Sequence, residues 1–225
     1  MLNVVKVGGG LAPEGGEDAL VELCQTLASL GRDHRLLVVP GGGRFADAAR
    51  DYDGRLEPGP EAAHRMSIRA MDSFGELLAA LIEDAHAGAE LDAAIEATAA
   101  GRVAVLLPAA LVIGESGLPA DWEVTSDSIA AWIAGRAGAE RLVLAKAAAG
   151  LYESWPPAGE PLARLDAVRL EALQARGAAL GVDRHFPTAL RAAGVAAWIV
   201  DGRDPSELID LLRDGSAAGT LVTPA

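Results

Sequence analysis

Twice within its first 43 residues the chain runs from a short apolar stretch straight into three glycines. Val4-Val5-Lys6-Val7 meets Gly8-Gly9-Gly10, and Leu36-Leu37-Val38-Val39 meets Pro40-Gly41-Gly42-Gly43. Apolar runs this short, bounded by glycine, read as strands buried on both faces. Such strands belong in a parallel sheet that helices cover on each side. The intervening residues agree. Leu20, Leu23, Cys24, Leu27 and Leu30 have helical spacing over 17–30, and Gly31 stops that helix. A second helix is expected over about 45–50, behind the second glycine run.

The alternation continues along the chain. Residues 52–60, rich in glycine, proline and charge, read as a loop. A long helix is expected over 61–87, with Met66, Ile68, Met71, Leu78, Leu81 and Ile82 as its apolar residues and Gly75 as a point of bending. A helix at 91–100, a strand at 103–107 and an irregular stretch at 109–124 follow. Thr125-Ser126-Asp127-Ser128 offers several caps for a helix over 129–134. A strand at 142–145 delivers Lys146, and 147–163, with Pro156-Pro157, reads as a loop. Helices near 166–175 and 183–193, a strand at 196–200, a helix at 205–213 and a strand at 219–222 complete the pattern. Without tandem repeats or long linkers, one α/β domain is expected across 1–225, with a mainly parallel sheet. Ligands of such sheets lie beyond the carboxyl ends of the strands. Gly8, Gly9, Gly10, Gly41, Gly42, Gly43 and Lys146 all fall there.

Composition narrows the partners. The formal net charge of −13 opposes nucleic acid and anionic membrane, so any phosphate must be bound locally, by a few cations and backbone N–H groups. Aromatic residues are 4% of the chain, so the core must be alanine, leucine and valine. No apolar run is long enough to span a bilayer, and the first residues do not resemble a signal peptide; the cytoplasm is the expected location. Cys24 is the sole cysteine and is expected to pack as a small apolar residue. His34, His64, His86 and His185 share no metal-ligand spacing and read as surface or packing residues, so no protein-bound metal is expected.

The basic residues carry a sharper signal. Of 19, only Lys6 and Lys146 are lysine. Lysine is a compact point charge that arginine does not replace at a phosphoryl-transfer site. Each of the two stands at the end of a strand. Glycines beside Lys6 can present successive N–H groups to an anion, and a helix N-terminus behind Gly41–Gly43 can do the same. A plain turn is the simpler reading of either glycine run alone. The P-loop and dinucleotide fingerprints are both missing. Thr125 or Ser126 reads as a helix cap, whereas Asp127 is placed to sit between the lysines and keep both charged. Asp183 reads as the cap of the helix containing His185, and Arg65 and Arg69 as solvated charges.

Lys6-x-Gly8-Gly9, Pro40-Gly41-Gly42-Gly43, Ser126-Asp127 before a helix, Lys146 followed by Gly150-Leu151-Tyr152, and the ending Gly219-Thr220-Leu221-Val222 together resemble the amino acid kinase superfamily. The match runs nearly end to end. Within it, Ala63-His64-Arg65-Met66, Ala70-Met71-Asp72-Ser73-Phe74-Gly75 and the run from Trp122 to Ala130 are most similar to the kinases of [5-(aminomethyl)furan-3-yl]methyl phosphate, from methanofuran and methylofuran biosynthesis in one-carbon metabolism. The resemblance implies a three-layer αβα sandwich and transfer of the γ-phosphoryl of ATP, brought with Mg2+, to a small phosphate or carboxylate acceptor. It implies catalytic roles for Lys6, Asp127 and Lys146. Gly8, Gly9, Gly10, Gly150 and Tyr152 would bind ATP and its phosphates. Gly41, Gly42, Gly43, Arg44 and Ser126 would bind the acceptor. A homo-oligomer is expected, with apolar helix faces from Met66 to Leu81 reading either as a self-association surface or as core. UMP, isopentenyl phosphate and carbamate are other acceptors on this pattern, and a non-catalytic nucleotide- or oxyanion-binding storage relative is a further reading. The chain departs from the pattern at Gly10, where serine or alanine is frequent, and at Ala147-Ala148-Ala149, where aspartates are. Thr188 stands near the place of a late lysine, for which Arg184 or Arg191 would have to substitute.

Overall fold

A computed structural model describes residues 1–12, 16–153, 159–177 and 181–225. Its strands are β1 (Leu2–Val7), β2 (Arg35–Pro40), β3 (His86–Gly88), β4 (Ala104–Leu106), β5 (Arg141–Lys146), β6 (Arg164–Asp166), β7 (Ala197–Asp201) and β8 (Thr220–Thr223). They form one sheet in the order β3-β4-β2-β1-β5-β7-β8-β6. Among the described residues every pairing is parallel except β7 with β8. The helices are α1 (Asp18–Leu30), α2 (Gly43–Leu56), α3 (Pro60–Leu81), α4 (Leu91–Ala99), α5 (Ala109–Glu115), α6 (Ser126–Arg136), α7 (Ala167–Ala175), α8 (Phe186–Ala193) and α9 (Pro205–Asp214), with a short 3-10 turn at Gly9–Leu11.

The period of two along each strand sorts the core into two layers. Leu2 and Val4 of β1, Leu37 and Val39 of β2, and Leu142 and Leu144 of β5 face α4 to α8. Val5 and Val7, Leu36 and Val38, and Val143 and Ala145 face α1, α9 and the Phe74–Leu78 part of α3. This three-layer αβα architecture is the one expected. Parity also aims the chemistry. Lys6 continues the Leu2–Val4 face and Lys146 the Leu142–Leu144 face, so both lysines point toward α6. Lys6 pairs in register with Leu144, which places Lys146 two residues further along the adjacent strand.

Several local expectations need correction. The helix expected at 45–50 runs from Gly43 to Leu56, through residues read as loop. It buries only Ala49, so it shows little apolar period, and ion pairs Arg50–Asp47 at 2.9 Å and Arg55–Asp51 at 2.8 Å brace its exposed side. The long helix ends at Leu81, and 86–88 become an edge strand with no apolar run to announce it. Gly75 does not interrupt α3; its missing side chain lets the helix approach Leu107 and Pro40, which a Cβ would meet at 2.8 and 3.2 Å. Within 109–124, α5 forms where Asp72 of α3 accepts the Ala109 N–H at 2.9 Å, a cap from 37 residues away. β6 precedes the helix expected near 166 and buries only Leu165. Pro156-Pro157 lie outside the described residues. Cys24 packs fully buried in α1, as expected.

Candidate active site

At the carboxyl end of the two central strands, Lys6 and Lys146 converge on one carboxylate. Lys6 Nζ lies 3.1 Å from Asp127 Oδ1, and Lys146 Nζ donates to Asp127 Oδ2 at 2.8 Å. The Lys6 and Asp127 side chains are each 5% exposed and that of Lys146 17%. The pair is therefore nearly dry, with Lys146 opening toward solvent. A buried ion is tolerated only when it is paired. Burial alone would raise the Asp127 carboxyl, but Lys146 and Lys6 outweigh it and hold the pKa at about 2. Burial drives Lys6 the other way, below its ordinary range, against the pull of Asp127. The result is one fixed negative charge under two ammonium groups, one of them reachable from outside.

The two glycine runs pack backbone against backbone beside this cluster. Gly8 N–H donates to Ala145 O at 2.9 Å, and Gly41 N–H to Val7 O at 2.8 Å. A Cβ on Gly9 would stand 2.2 Å from Gly43 Cα, and Gly43 itself has φ +53°. The division of labour differs from the simplest expectation. Gly8 and Gly41 have committed their N–H groups to the neighbouring strands and serve as braces. Gly9 and Gly10 open the 3-10 turn, and Gly42 and Gly43 open α2; those first-turn N–H groups have no partner within their own helices. All four glycines line a cavity of about 340 Å3. Arg44, expected among the acceptor contacts, is exposed and does not line that cavity. Ser126 does line it.

The cavity lies between α2, α3 and the start of α6. Its walls include Asp47 and Arg50 from α2, His64, Ser67 and Met71 from α3, and Trp122 and Thr125 from the segment entering α6. Trp122 is fastened there: its Nε1 donates to Asp53 Oδ2 at 2.7 Å, and the Arg50 guanidinium lies 4.7 Å from the ring centre. Burial lowers the pKa of His64, against a contact with the Asp121 backbone, and so favours its neutral form. Arg50, His64, Ser67 and Trp122 were not among the residues read from sequence as site. Helical spacing held a usable signal: 46, 47 and 50 on one helix face 64, 67, 68 and 71 on the next. Arg65 and Arg69 point to solvent, as expected.

On the opposite flank the loop after Lys146 is poor in polar side chains. Ala147, Ala148 and Ala149 are partly or fully exposed; Gly150 is buried against Thr220 and Pro161, and Tyr152 is half-buried near Arg203. Arg203 is engaged by Asp201 at 2.9 and 2.6 Å. Gly202 N–H supports the Lys146 carbonyl at 2.7 Å. Neither Thr188 nor Arg191 is drawn into the lysine cluster: Thr188 is exposed on α8 and Arg191 pairs with Glu171 at 2.8 Å.

Asp183 also departs from expectation. It does not cap α8; it reaches α6. Its Oδ2 accepts the N–H of Thr125 and of Ser128 at 3.0 Å each and the Thr125 hydroxyl at 2.8 Å, and its Oδ1 accepts the Ser128 hydroxyl.

Comparison with known proteins gives the family and the fold. The model of the amino acid kinase family matches residues 1–201. The chain is 26% identical over 216 residues to the [5-(aminomethyl)furan-3-yl]methyl phosphate kinase of Methanocaldococcus jannaschii, covering 94% of this chain and 93% of that one. It is 28% identical over 234 residues to the uridylate kinase of Haloarcula marismortui, covering 98% of each. The crystal structure of uridylate kinase from Archaeoglobus fulgidus superposes with a TM-score of 0.77 at 21% identity, across 99% of this chain and 100% of that one, a likeness of fold.

Proposed function

The chain belongs to the amino acid kinase family, and on that premise we propose that it transfers the γ-phosphoryl of ATP to the phosphate of a small acceptor held in the 340 Å3 cavity, making a diphosphate. The acceptor we favour is [5-(aminomethyl)furan-3-yl]methyl phosphate. The observation that carries the reading is the convergence of the chain's two lysines on Asp127.

The chemistry follows from charge. Phosphoryl transfer needs in-line placement and charge neutralisation, with little covalent work for the protein. An acceptor phosphate is already ionised, so an oxygen of it attacks the γ-phosphorus while the bond to the departing ADP oxygen breaks, and no general base is required. Lys6 and Lys146 neutralise the oxygens of the group in transit, with Asp127 fixing their positions. N–H groups of Gly9, Gly10 and the start of α2 add preorganised donors, each worth about 3–4 kcal/mol at the barrier where such donors have been removed. Magnesium enters with ATP, held by phosphate oxygens and water. Asp127, with both oxygens turned to lysines, is placed to organise ammonium groups. The Trp122 face opposite Arg50 would suit a furan ring, and the Asp47 carboxylate oxygen not paired with Arg50 an aminomethyl group.

The test is ADP release from Mg-ATP with a panel of acceptors: the aminomethylfuran phosphate, UMP, isopentenyl phosphate, carbamate and N-acetylglutamate. The expected result is the highest kcat/KM for the furan phosphate. UMP as the best substrate would keep the mechanism and replace the acceptor. Turnover only with carboxylates, trapped as acyl phosphates by hydroxylamine, would overturn the phosphate-acceptor reading.

A further inference from the structure

The first turn of α6 carries Asp127, yet its own N-cap side chain does not hold that turn. Thr125 occupies the N-cap position and its side chain makes no capping hydrogen bond. The open N–H groups of a helix start are ordinarily met by such a side chain. Here Asp183 takes over from 55 to 58 residues away. One of its carboxylate oxygens receives both Thr125 donors and the Ser128 N–H, and the other receives the Ser128 hydroxyl. Asp127 lies between the two clamped residues.

Asp183 is itself anchored from behind. The buried Gln174 of α7 donates to the carbonyl oxygens of Asp183 at 3.0 Å and Val182 at 3.4 Å. His185 N–H donates to Glu123 O at 3.2 Å, tying the same segment to the entry of α6. A continuous set of hydrogen bonds thus runs from α7 to the turn that presents Asp127.

A plain cap would not need this residue. Serine or asparagine caps a helix as well as aspartate does. A second carboxylate near Asp127 adds like-charge repulsion, and burial together with the Asp127 charge pushes the Asp183 carboxyl upward. What aspartate adds is two acceptor oxygens able to take four donors at once, which fixes the turn in rotation as well as in position.

We propose that Asp183 is a positioning residue of the kinase site: by gripping Thr125 and Ser128 it sets the first turn of α6 so that the Asp127 carboxylate meets Lys6 and Lys146 together. The inference rests on the role assigned to Asp127 above. Its loss leaves the three groups present but out of register, and a misplacement of about 1 Å can cost about 100-fold in rate.

The composition of the chain supplies the readout. With two lysines in the sequence, 15N-lysine labelling gives a two-signal ammonium spectrum that reports on this site alone. In Asp183→Asn both signals should move toward their positions in Asp127→Asn. The kcat should fall about 10- to 100-fold with KM for ATP and acceptor little changed. In the Asp127→Asn background, Asp183→Asn should do nothing further to either signal. Ser128→Ala, which removes one donor from the other side of the clamp, should shift the same signals less and carries the test if Asp183→Asn folds poorly. A cap with only a structural role would lower the melting temperature and leave both lysine signals and kcat at their wild-type values, which overturns the proposal. So would an equal effect of Asp183→Asn with and without Asp127. If Asp127→Asn alone changes neither signals nor turnover, the assignment of Asp127 fails, and that outcome is distinct from failure of the clamp.

Discussion

The two flanks of the lysine pair are built differently. The flank toward α2 and α3 is a cavity walled by side chains: Arg50 braced by Asp47, Trp122 fastened to Asp53, and a half-buried His64. The flank after β5 presents Ala147, Ala148 and Ala149, and the nearby Arg203 guanidinium is engaged by Asp201. In the function proposed, the acceptor takes the first flank and ATP the second. Selectivity would then reside in the acceptor side chains, while the nucleotide would be held mainly by backbone and by Lys146.

The largest effect should come from the seam between the flanks. Lys6→Met should lower turnover at least about 1000-fold, the upper range for removing one preorganised donor, with either substrate saturating. Because it leaves the buried Asp127 with Lys146 alone as counter-charge, it should also lower the melting temperature, though by less than Asp127→Asn does. Steady-state kinetics beside a thermal melt check both parts.

Asp127→Asn comes next. It leaves two ammonium groups without their counter-charge, and breaking a buried ion pair in this way destabilises by about 3–5 kcal/mol. The pH dependence has a definite sign. The Asp127 carboxyl lies at about 2 in the folded chain, against about 3.9 for an unperturbed aspartate. Its contribution to stability is therefore complete above about pH 4 and is lost as pH falls toward about 2. Acid melts of the wild type should be steeper across that window than those of Asp127→Asn.

Trp122→Ala probes the acceptor flank alone. It removes a wall and frees Arg50 and Asp53, so KM for the acceptor should rise about 10-fold or more, as for loss of one well-packed aromatic contact. KM for ATP should stay within error. The smallest change is on the opposite flank: Ala148→Asp should alter KM for ATP by no more than about threefold, a surface-scale electrostatic effect, and leave the acceptor KM alone. An ATP effect from Trp122→Ala, or an acceptor effect from Ala148→Asp, would break the division between the flanks.

How much of this could be read from sequence follows the same division. Strand ends are legible: apolar runs into glycine placed β1 and β2, the apolar run at 142–145 placed β5, and the scarcity of lysine singled out Lys6 and Lys146. Asp127 was singled out because a carboxylate at that helix start could sit between the two lysines. Contacts between distant segments were not. Asp183 reaching back to Ser128, Asp72 capping α5 and Asp53 holding Trp122 span 37 to 69 residues and carry no local signal. α2 was read too short because a helix that buries only Ala49 has no apolar stripe to betray its length. Arg44 was expected at the acceptor beside the glycines; it is exposed, and the α2 arginine among the residues lining the cavity is Arg50.

The most direct measurement is phosphorus NMR of the wild type and Lys6→Met under identical conditions with Mg-ATP and the aminomethylfuran phosphate. The account predicts ADP and a new diphosphate in equal amounts with the wild type and neither with the variant. Equal product from both proteins, or consumption of ATP by the wild type with the acceptor phosphate unchanged, would contradict it.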